Sequence, residues 1–427
     1  MTALALGIDL GTSGVRSAVL DPTGRPLASA RSAYGPRDSD RCTPEAWWAA
    51  VTNCLSAQMR SLSQIGHSPA EITRIGVDGT SGSLVLTDRA LVPVTRALMY
   101  DDAGFTREAT LIARHAPQSH VANGAGSALA RALRLVAEDP SARAAHLLHQ
   151  ADFIAARLMG KGGMTDYNNA LKTGLDPAAA AWPDWMANLP LPAHLLPHAL
   201  PPGAPFGPVC ATVATMFGLS RATMVHAGTT DSIAAFLAAS DLTQGAAVTS
   251  LGTTLAVKLF SATRIDAPEM GLYAHRLGAG WLLGGASNTG GGVLRHFFDG
   301  PQLTALSEKI DPAQTSPLEY YPLLKTGERF PVNDPTLAPR LEPRPTDDAA
   351  FLHGLLESIA RIEKQSYDVM AALGAGFPHY VTTAGGGAEN DTWTKIRARV
   401  LGVPVYKTPT PEAAVGTARL VQSGISA

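Results

Sequence analysis

"ALGIDLGTSGVRSAVLD", residues 5–21, places two short apolar runs on either side of Gly-Thr-Ser-Gly. Each run has strand length, and glycine permits the tight reversal between them, so the stretch reads as a β-hairpin. Residues 247–260, "AVTSLGTTLAVKLF", write nearly the same phrase again. The first copy holds Asp9-Leu10-Gly11-Thr12-Ser13, the second Ser250-Leu251-Gly252-Thr253-Thr254. A repeated hairpin implies a duplicated unit, and the acid survives in only one copy.

The bulk properties agree with two units. A chain of 427 residues is too long for one core, so two domains of about 200 residues are expected. With 34 Lys and Arg against 36 Asp and Glu the net charge is −2, and no basic run marks a nucleic-acid or membrane surface. No apolar stretch reaches transmembrane length, and the first strand starts so near Met1 that no signal peptide is expected. Cys42, Cys54 and Cys210 are far apart, fit neither a disulfide framework nor a zinc site, and suit a reducing cytoplasm.

Along the chain, residues 4–9, 15–21 and 27–32 predict an antiparallel meander, with Asp21-Pro22-Thr23-Gly24 as a turn. A helix follows over 43–62, with Thr43 as N-cap and Pro44 in its first position. "RIGVDGTSG" is a short strand and residues 83–100 a second hairpin, before helical patterns in "SALARALRLVAED" and "ADFIAARLMG". The order β-β-β-α-β-α is that of a ribonuclease-H-like unit, and the second half repeats it. There a long amphipathic helix puts Leu352, Leu355, Leu356, Ile359 and Ile362 on one face. The Pro-rich residues 320–345 read as an irregular surface excursion, and the domain boundary falls near Ala239, giving 1–238 and 239–427. The last helix, with Thr410 as cap and Pro411 after it, is a candidate to pack back on the first domain.

Gly-Thr-[Ser/Thr] occurs at 11–13, 79–81, 228–230 and 252–254. Gly-rich hairpin tips let backbone N–H groups approach an anion, and flanking hydroxyls add donors, so two facing tips suit a polyphosphate. There is no P-loop, HExxH or GxSxG, and "GAGSALAR" has Leu129 where a dinucleotide loop needs glycine; Ser127 as an N-cap explains it. Asp231 stands where an apolar strand meets an Ala-rich helix, as a helix cap or as a general base for phosphoryl transfer. His226, inside the apolar run, reads as a packed histidine. "VTTAGGGAENDTWTKIRARV" predicts a strand, a turn at Gly385 to Gly387, and a helix carrying Asn390 and Trp393 one turn apart, with room for a flat ring on the glycines.

Together the runs "GIDLGTSGVR", "VDGTSG", "DYNNALK", "AGTTDSIAAFLA", "AVTSLGTT", "GGASNTGG", "GERFP", "LEPRP", "TAGGGAEN" and "EAAVGTARL" resemble the FGGY carbohydrate kinases of the actin-like ATPase superfamily. Within that family the chain is most similar to the D-ribulose kinases of cyanobacteria and plants. The resemblance implies an α/β protein of two ribonuclease-H-like domains that close on ATP, Mg²⁺ and a small sugar. Gly11, Thr12, Ser13 and Arg16 match its first phosphate hairpin, and Gly252, Thr253 and Thr254 its second. Asp9 and Asp231 match the acids at Mg²⁺, held through water, and Asp231 the base, with Thr12 beside them. One magnesium site needs one acid, which accounts for Ser250 in the second copy. Gly386, Gly387, Asn390 and Trp393, with Gly291 and Arg295, match the adenosine pocket. Thr80, Ser81 and Asp102 fall where members of the family contact sugar.

Departures also carry information. Many members have Trp-x-Asp-x-Arg where this chain reads Tyr100-Asp101-Asp102-Ala103-Gly104. The chain is short for the family, which implies missing lid elements and an open sugar site. Gly-Thr-Thr-Asp at the base favours ribulose over xylulose, the runner-up with other ketoses and polyols. A non-catalytic nucleotide switch is the rival of another class; Asp9 and Asp231 argue against it.

Overall fold

The computed structural model describes residues 3–35, 41–408 and 412–423. The expected cap Thr410 and its neighbour Pro411 lie outside these residues. The chain forms two compact units: one runs to Ala238 and takes in His275–Ala279 and the segment from Glu412, the other holds Ala239–Ala274 and the chain from Gly280.

In the first unit β1 (Leu4–Leu10), β2 (Gly14–Leu20) and β3 (Pro26–Ala33) make the expected meander. α1 (Pro44–Gln64) starts as expected, with the Thr43 hydroxyl accepting from Ala46 N at 3.2 Å. Its buried Trp47, Val51, Cys54, Leu55 and Leu62 recur at helical spacing, forming a single apolar stripe. β4 (Ile72–Gly79) then runs parallel to β1. The expected hairpin over 83–100 forms with an irregular second arm: Leu84 and Leu98 exchange both backbone hydrogen bonds, and Val94 N donates to Leu86 O at 2.9 Å. The regular partner of β5 (Leu84–Thr87) is β6 (His146–His149), which follows α2 (Thr106–Ala113) and α3 (Ala128–Ala137). Pro93 cannot donate to a ladder, so its segment makes no regular strand. There follow α4 (Gln150–Met159), β7 (Met164–Asp166), α5 (Tyr167–Thr173), β8 (His198–Leu200), β9 (Pro205–Pro208), α6 (Ala211–Phe217), β10 (Met224–Thr230) and α7 (Asp231–Ala239). The main sheet has the order β3-β2-β1-β4-β10-β9.

The second unit repeats this plan. β11 (Ala246–Leu251) and β12 (Leu255–Ser261) are the second hairpin, continued through β13 (Tyr273–Leu277) and β14 (Gly280–Ser287). α8 (Gly291–Phe297), α9 (Gly300–Ser307), α10 (Asp348–Ala372), β15 (Tyr380–Ala384), α11 (Asp391–Leu401) and β16 (Val405–Lys407) complete a sheet of order β13-β14-β12-β11-β15-β16. In both sheets a meander is followed by parallel strands, β4 and β10 in one, β15 and β16 in the other. The apolar face of α10 is buried as its periodicity required. Residues 320–345 are irregular as expected, but not superficial: Tyr320, Leu323, Glu328 and Phe330 are buried. Phe330 fills the space over Gly285, which a side chain there would occupy.

α12 (Ala413–Gln422) belongs to the first unit and lies across β1, β2 and β4. Its seat is a backbone contact. A Cβ on Gly7 would lie 1.9 Å from the Ala414 carbonyl oxygen, and one on Gly416 would lie 1.8 Å from that of Ala234. No helix among the described residues is long and apolar enough to cross a membrane.

Gly416→Ala is therefore expected to destabilise the first unit by about 1–3 kcal/mol, because the obstacle is rigid backbone rather than a side chain that can turn. Urea unfolding measures it; an unchanged midpoint would contradict this seating of α12.

Candidate active site

β1, β4 and β10 run parallel, so their C-terminal ends share one edge, where open α/β sheets bind ligands. Register pairs Asp9 with Asp78 and Leu10 with Gly79, and on the other side Thr229 with Asp78 and Thr230 with Gly79. Asp231 follows at once as the first residue of α7; it is half-buried, and its Oδ1 accepts from Ser232 N at 2.6 Å. The glycine of this Gly-Thr-Thr-Asp run serves the sheet: a Cβ on Gly228 would lie 1.7 Å from the Val77 carbonyl oxygen. Of the four Gly-Thr runs, only those at 11 and 252 are hairpin tips; the other two end strands. His226 is a packed histidine, its Nδ1 donating to Gly203 O at 2.9 Å and its basicity lowered by burial.

Asp9 is 4% exposed and lies 3.5 Å from the Arg16 guanidinium. Burial pushes its carboxyl above the usual carboxylate range, against the opposing influence of Asp78 and Arg16. Asp78 is wholly buried; burial drives its carboxyl far up, and the negative charges of Asp9 and Asp231 add to that. The Thr417 hydroxyl of α12 donates to Asp78 Oδ2, while Oδ1 has no partner. Asp78 was not among the expected site residues, although its signal was present: an acid inside an apolar strand, as in β1.

At the hairpin tip Gly11 N donates to Gly14 O at 3.0 Å and Thr12 and Ser13 are exposed. The tip in the second unit is shorter, Gly252 N donating to Thr254 O at 3.2 Å. α8 abuts it through Gly291 N to Gly252 O at 3.0 Å, and Arg295 donates to the Thr253 hydroxyl at 3.1 Å. Beside it, Gly291, Arg295, Ser307, Gly386, Asn390 and Trp393 are among the residues lining a cavity of about 390 Å³. Asn390 precedes α11 rather than riding on it: its Oδ1 caps Trp393 N at 2.9 Å, and its Nδ2 donates to the Ser307 hydroxyl at 2.8 Å. Trp393 is 1% exposed with its ring N–H on Leu356 O, so it forms a fixed wall.

Two expected sugar contacts are spent internally. Gln150, the first residue of α4, accepts at Oε1 from Thr80 N at 3.0 Å and from the Thr80 hydroxyl at 2.7 Å. Thr80 Oγ1 lies 2.7 Å from Ser83 Oγ, which accepts from Tyr100 N at 3.0 Å. The Asp102 carboxylate accepts from Met99 N at 2.7 Å, closing its own turn. Ser81 keeps a buried hydroxyl without a partner. Arg131 of α3, absent from the expected set, is buried and donates to the carbonyls of Gly82, Tyr100 and Asp102, tying the two turns together. Gln150 and Arg131 carried no sequence signal, because only tertiary folding gives them these partners. "DYNN" is also structural: Asp166 caps α5, with burial raising its carboxyl to about 7, and Asn168 Nδ2 donates to the Thr229 hydroxyl at 3.1 Å.

The model of the FGGY family of carbohydrate kinases, N-terminal domain, matches residues 4–238, and that of the C-terminal domain matches 247–421. The xylulose kinase of Escherichia coli (strain K12) is 27% identical over 447 aligned positions, 98% of this chain and 89% of that protein. Among solved structures, the "xyloylose kinase" of Brucella ovis superposes with TM-score 0.86 at 24% identity, covering 99% of this chain and 91% of the other. Plasmodium falciparum glycerol kinase with ADP superposes with TM-score 0.84 at 15% identity, covering 99% and 90%.

In the second unit, the end of β11 rests on a closed ion pair. Glu363 and Arg397 are buried, with N–O contacts of 2.6 and 2.7 Å, and they hold the Thr249 and Thr383 hydroxyls. Arg397→Ala strands the Glu363 charge and is expected to cost about 3–5 kcal/mol in urea unfolding, most of it recovered in Glu363→Leu/Arg397→Met. Equal losses in both variants would contradict the stranded-charge account.

Proposed function

We propose, for a chain that belongs to the FGGY family of carbohydrate kinases and is an ATP-dependent sugar phosphotransferase, that its substrate is D-ribulose and that Asp231 removes the proton from the terminal hydroxyl. The observation that carries this is the position of Asp231, half-buried at the start of α7, on the sheet edge that also carries Asp9 and Asp78. A carboxylate there can accept a hydroxyl proton as the phosphoryl group arrives, and the rest of catalysis is positioning and charge neutralisation.

The first domain, 1–238 with α12 packed back on it, then supplies sugar site, base and first hairpin, and the second, from 239 up to α12, the second hairpin and the adenosine pocket. Gly11, Thr12, Ser13 and Arg16 would be the phosphate-binding residues of the first domain, and Gly252, Thr253, Thr254 and Arg295 those of the second. The cavity of about 390 Å³ falls within the range of about 300–1,000 Å³ usual for small-molecule sites. A Cβ on Gly386 would meet nothing within 4 Å, so a flat base has room there. Among the described residues no group of three or more His, Cys, Asp or Glu could cage a metal. Mg²⁺ keeps waters and leans on one or two carboxylates and on phosphate oxygens. Asp9 and Asp231 would hold it, and it would neutralise phosphate charge.

The Thr80-Ser81 turn and the Gly-Thr-Thr-Asp run support D-ribulose. D-xylulose is the second reading, favoured by the activity named for the Escherichia coli relative. Coupled ADP release with Mg-ATP against D-ribulose, L-ribulose, D-xylulose, L-xylulose, ribitol and glycerol tests the choice. D-Ribulose is expected to give the highest kcat/KM, and a higher value for another sugar would reject it. Asp231→Asn is expected to lower kcat about 10²–10⁴-fold with ATP still bound. Asp9→Ala should lose turnover while keeping its unfolding midpoint; sugar phosphorylation surviving in Asp231→Asn would remove the base assignment.

A further inference from the structure

We infer that Gln150 determines substrate class, donating from its side-chain amide to the carbonyl oxygen of an open-chain ketose. This rests on the kinase reading above and assigns a residue to which neither the family motifs nor the expected site residues gave a part.

The orientation of the amide is settled by chemistry. Thr80 N–H can only donate, and it points at Gln150 Oε1 from 3.0 Å. Turning the amide over would set two donors against each other. The Thr80 hydroxyl also gives its proton to that oxygen, so at its 2.7 Å contact with Ser83 it accepts. Ser83 therefore donates to Thr80 while accepting from Tyr100 N. The polarity runs one way, from Tyr100 N–H through Ser83 and Thr80 to Gln150. Each link polarises the next, which strengthens the donor at the far end.

That far end is unsatisfied. Gln150 is wholly buried, and its Nε2 has no partner. A buried amide left in this state calls for a ligand or a water. Its place favours a ligand: Gln150 Oε1 lies 3.2 Å from the Cβ position of Gly79, the residue that pairs in register with Thr230, next to Asp231. Ser81 Oγ and Thr230 Oγ1, on the same strand ends, are likewise buried without partners. An NH₂ group can only donate and a ketone oxygen can only accept, so the two are complementary. A hydroxyl can turn its proton either way and does not need this donor.

Gln150→Glu keeps an oxygen for Thr80 and replaces the donor with an acceptor. It is expected to lower kcat/KM for D-ribulose at least 100-fold, chiefly through KM. Ribitol, measured as substrate or as competitive inhibitor, should weaken less than 10-fold, with the KM for ATP unchanged. An equal effect on ketose and polyol, or none on either, overturns the assignment and leaves Gln150 to a water or to the Thr80 turn. Gln150→Ala, which removes the donor without adding an acceptor, reads the same ratio should the glutamate variant fail to fold. If the wild-type enzyme phosphorylates no ketose or polyol, the reading of the substrate falls; if it does and the ratio stays fixed, only the role of Gln150 falls.

Discussion

The parallel pairing of β1 with β4 sets Asp9 directly beside Asp78, and much of the first unit is arranged around that pair. Burial pushes both carboxyls toward the protonated form, and at Asp78 the negative charge of Asp9 adds to that push. Arg16 opposes this at Asp9 and the Thr417 hydroxyl opposes it at Asp78. Thr417 rides on α12, so the end of the chain must return to the first sheet. α12 can approach β1 closely enough only because Gly7 has no side chain, and α7 only because Gly416 has none.

The duplicated unit answers the same geometry differently. Ser250 pairs with Ala384 at the place equivalent to Asp9 and Asp78, so that strand end carries no acid. The buried charges of the second unit lie instead on α10 and α11, sealed between Glu363 and Arg397, which hold the Thr249 and Thr383 hydroxyls one residue back on the strands. A sealed pair has satisfied its hydrogen-bonding capacity and is a brace, whereas Asp78 in the first unit retains a buried oxygen without a hydrogen-bond partner. This asymmetry is what the proposed reaction would require, with two phosphate-binding turns but only one set of acids.

The wall formed by residues 79–83 and 99–102 is also held in its own way. Family members with Trp-x-Asp-x-Arg carry an arginine within that run; here Arg131 reaches the carbonyls of both turns from α3. Asp102 and Thr80, expected at the sugar, also hold this wall together. The side chains left to face a ligand are therefore those that the wall orients.

The sequence by itself determined the duplicated plan, the two hairpins, the caps at Thr43 and Ser127, and the buried face of α10. These rest on local periodicity and on backbone geometry that neighbouring residues impose. It also marked the acids of β1 and α7, because a charge at the end of an apolar run is conspicuous in one dimension. It misjudged the depth of 320–345 and gave no sign that β5 has a second partner in β6, because the choice of a core to enter, or of a further partner strand, depends on residues far away in the chain. The pairing of β5 with β6, the approach of α12, and the hydrogen-bond chain ending at Gln150 were decided only by tertiary structure. Hydrogen bonds between groups 70 residues apart, such as that from Thr80 to Gln150, leave no periodic trace, and only the packed chain gives them direction.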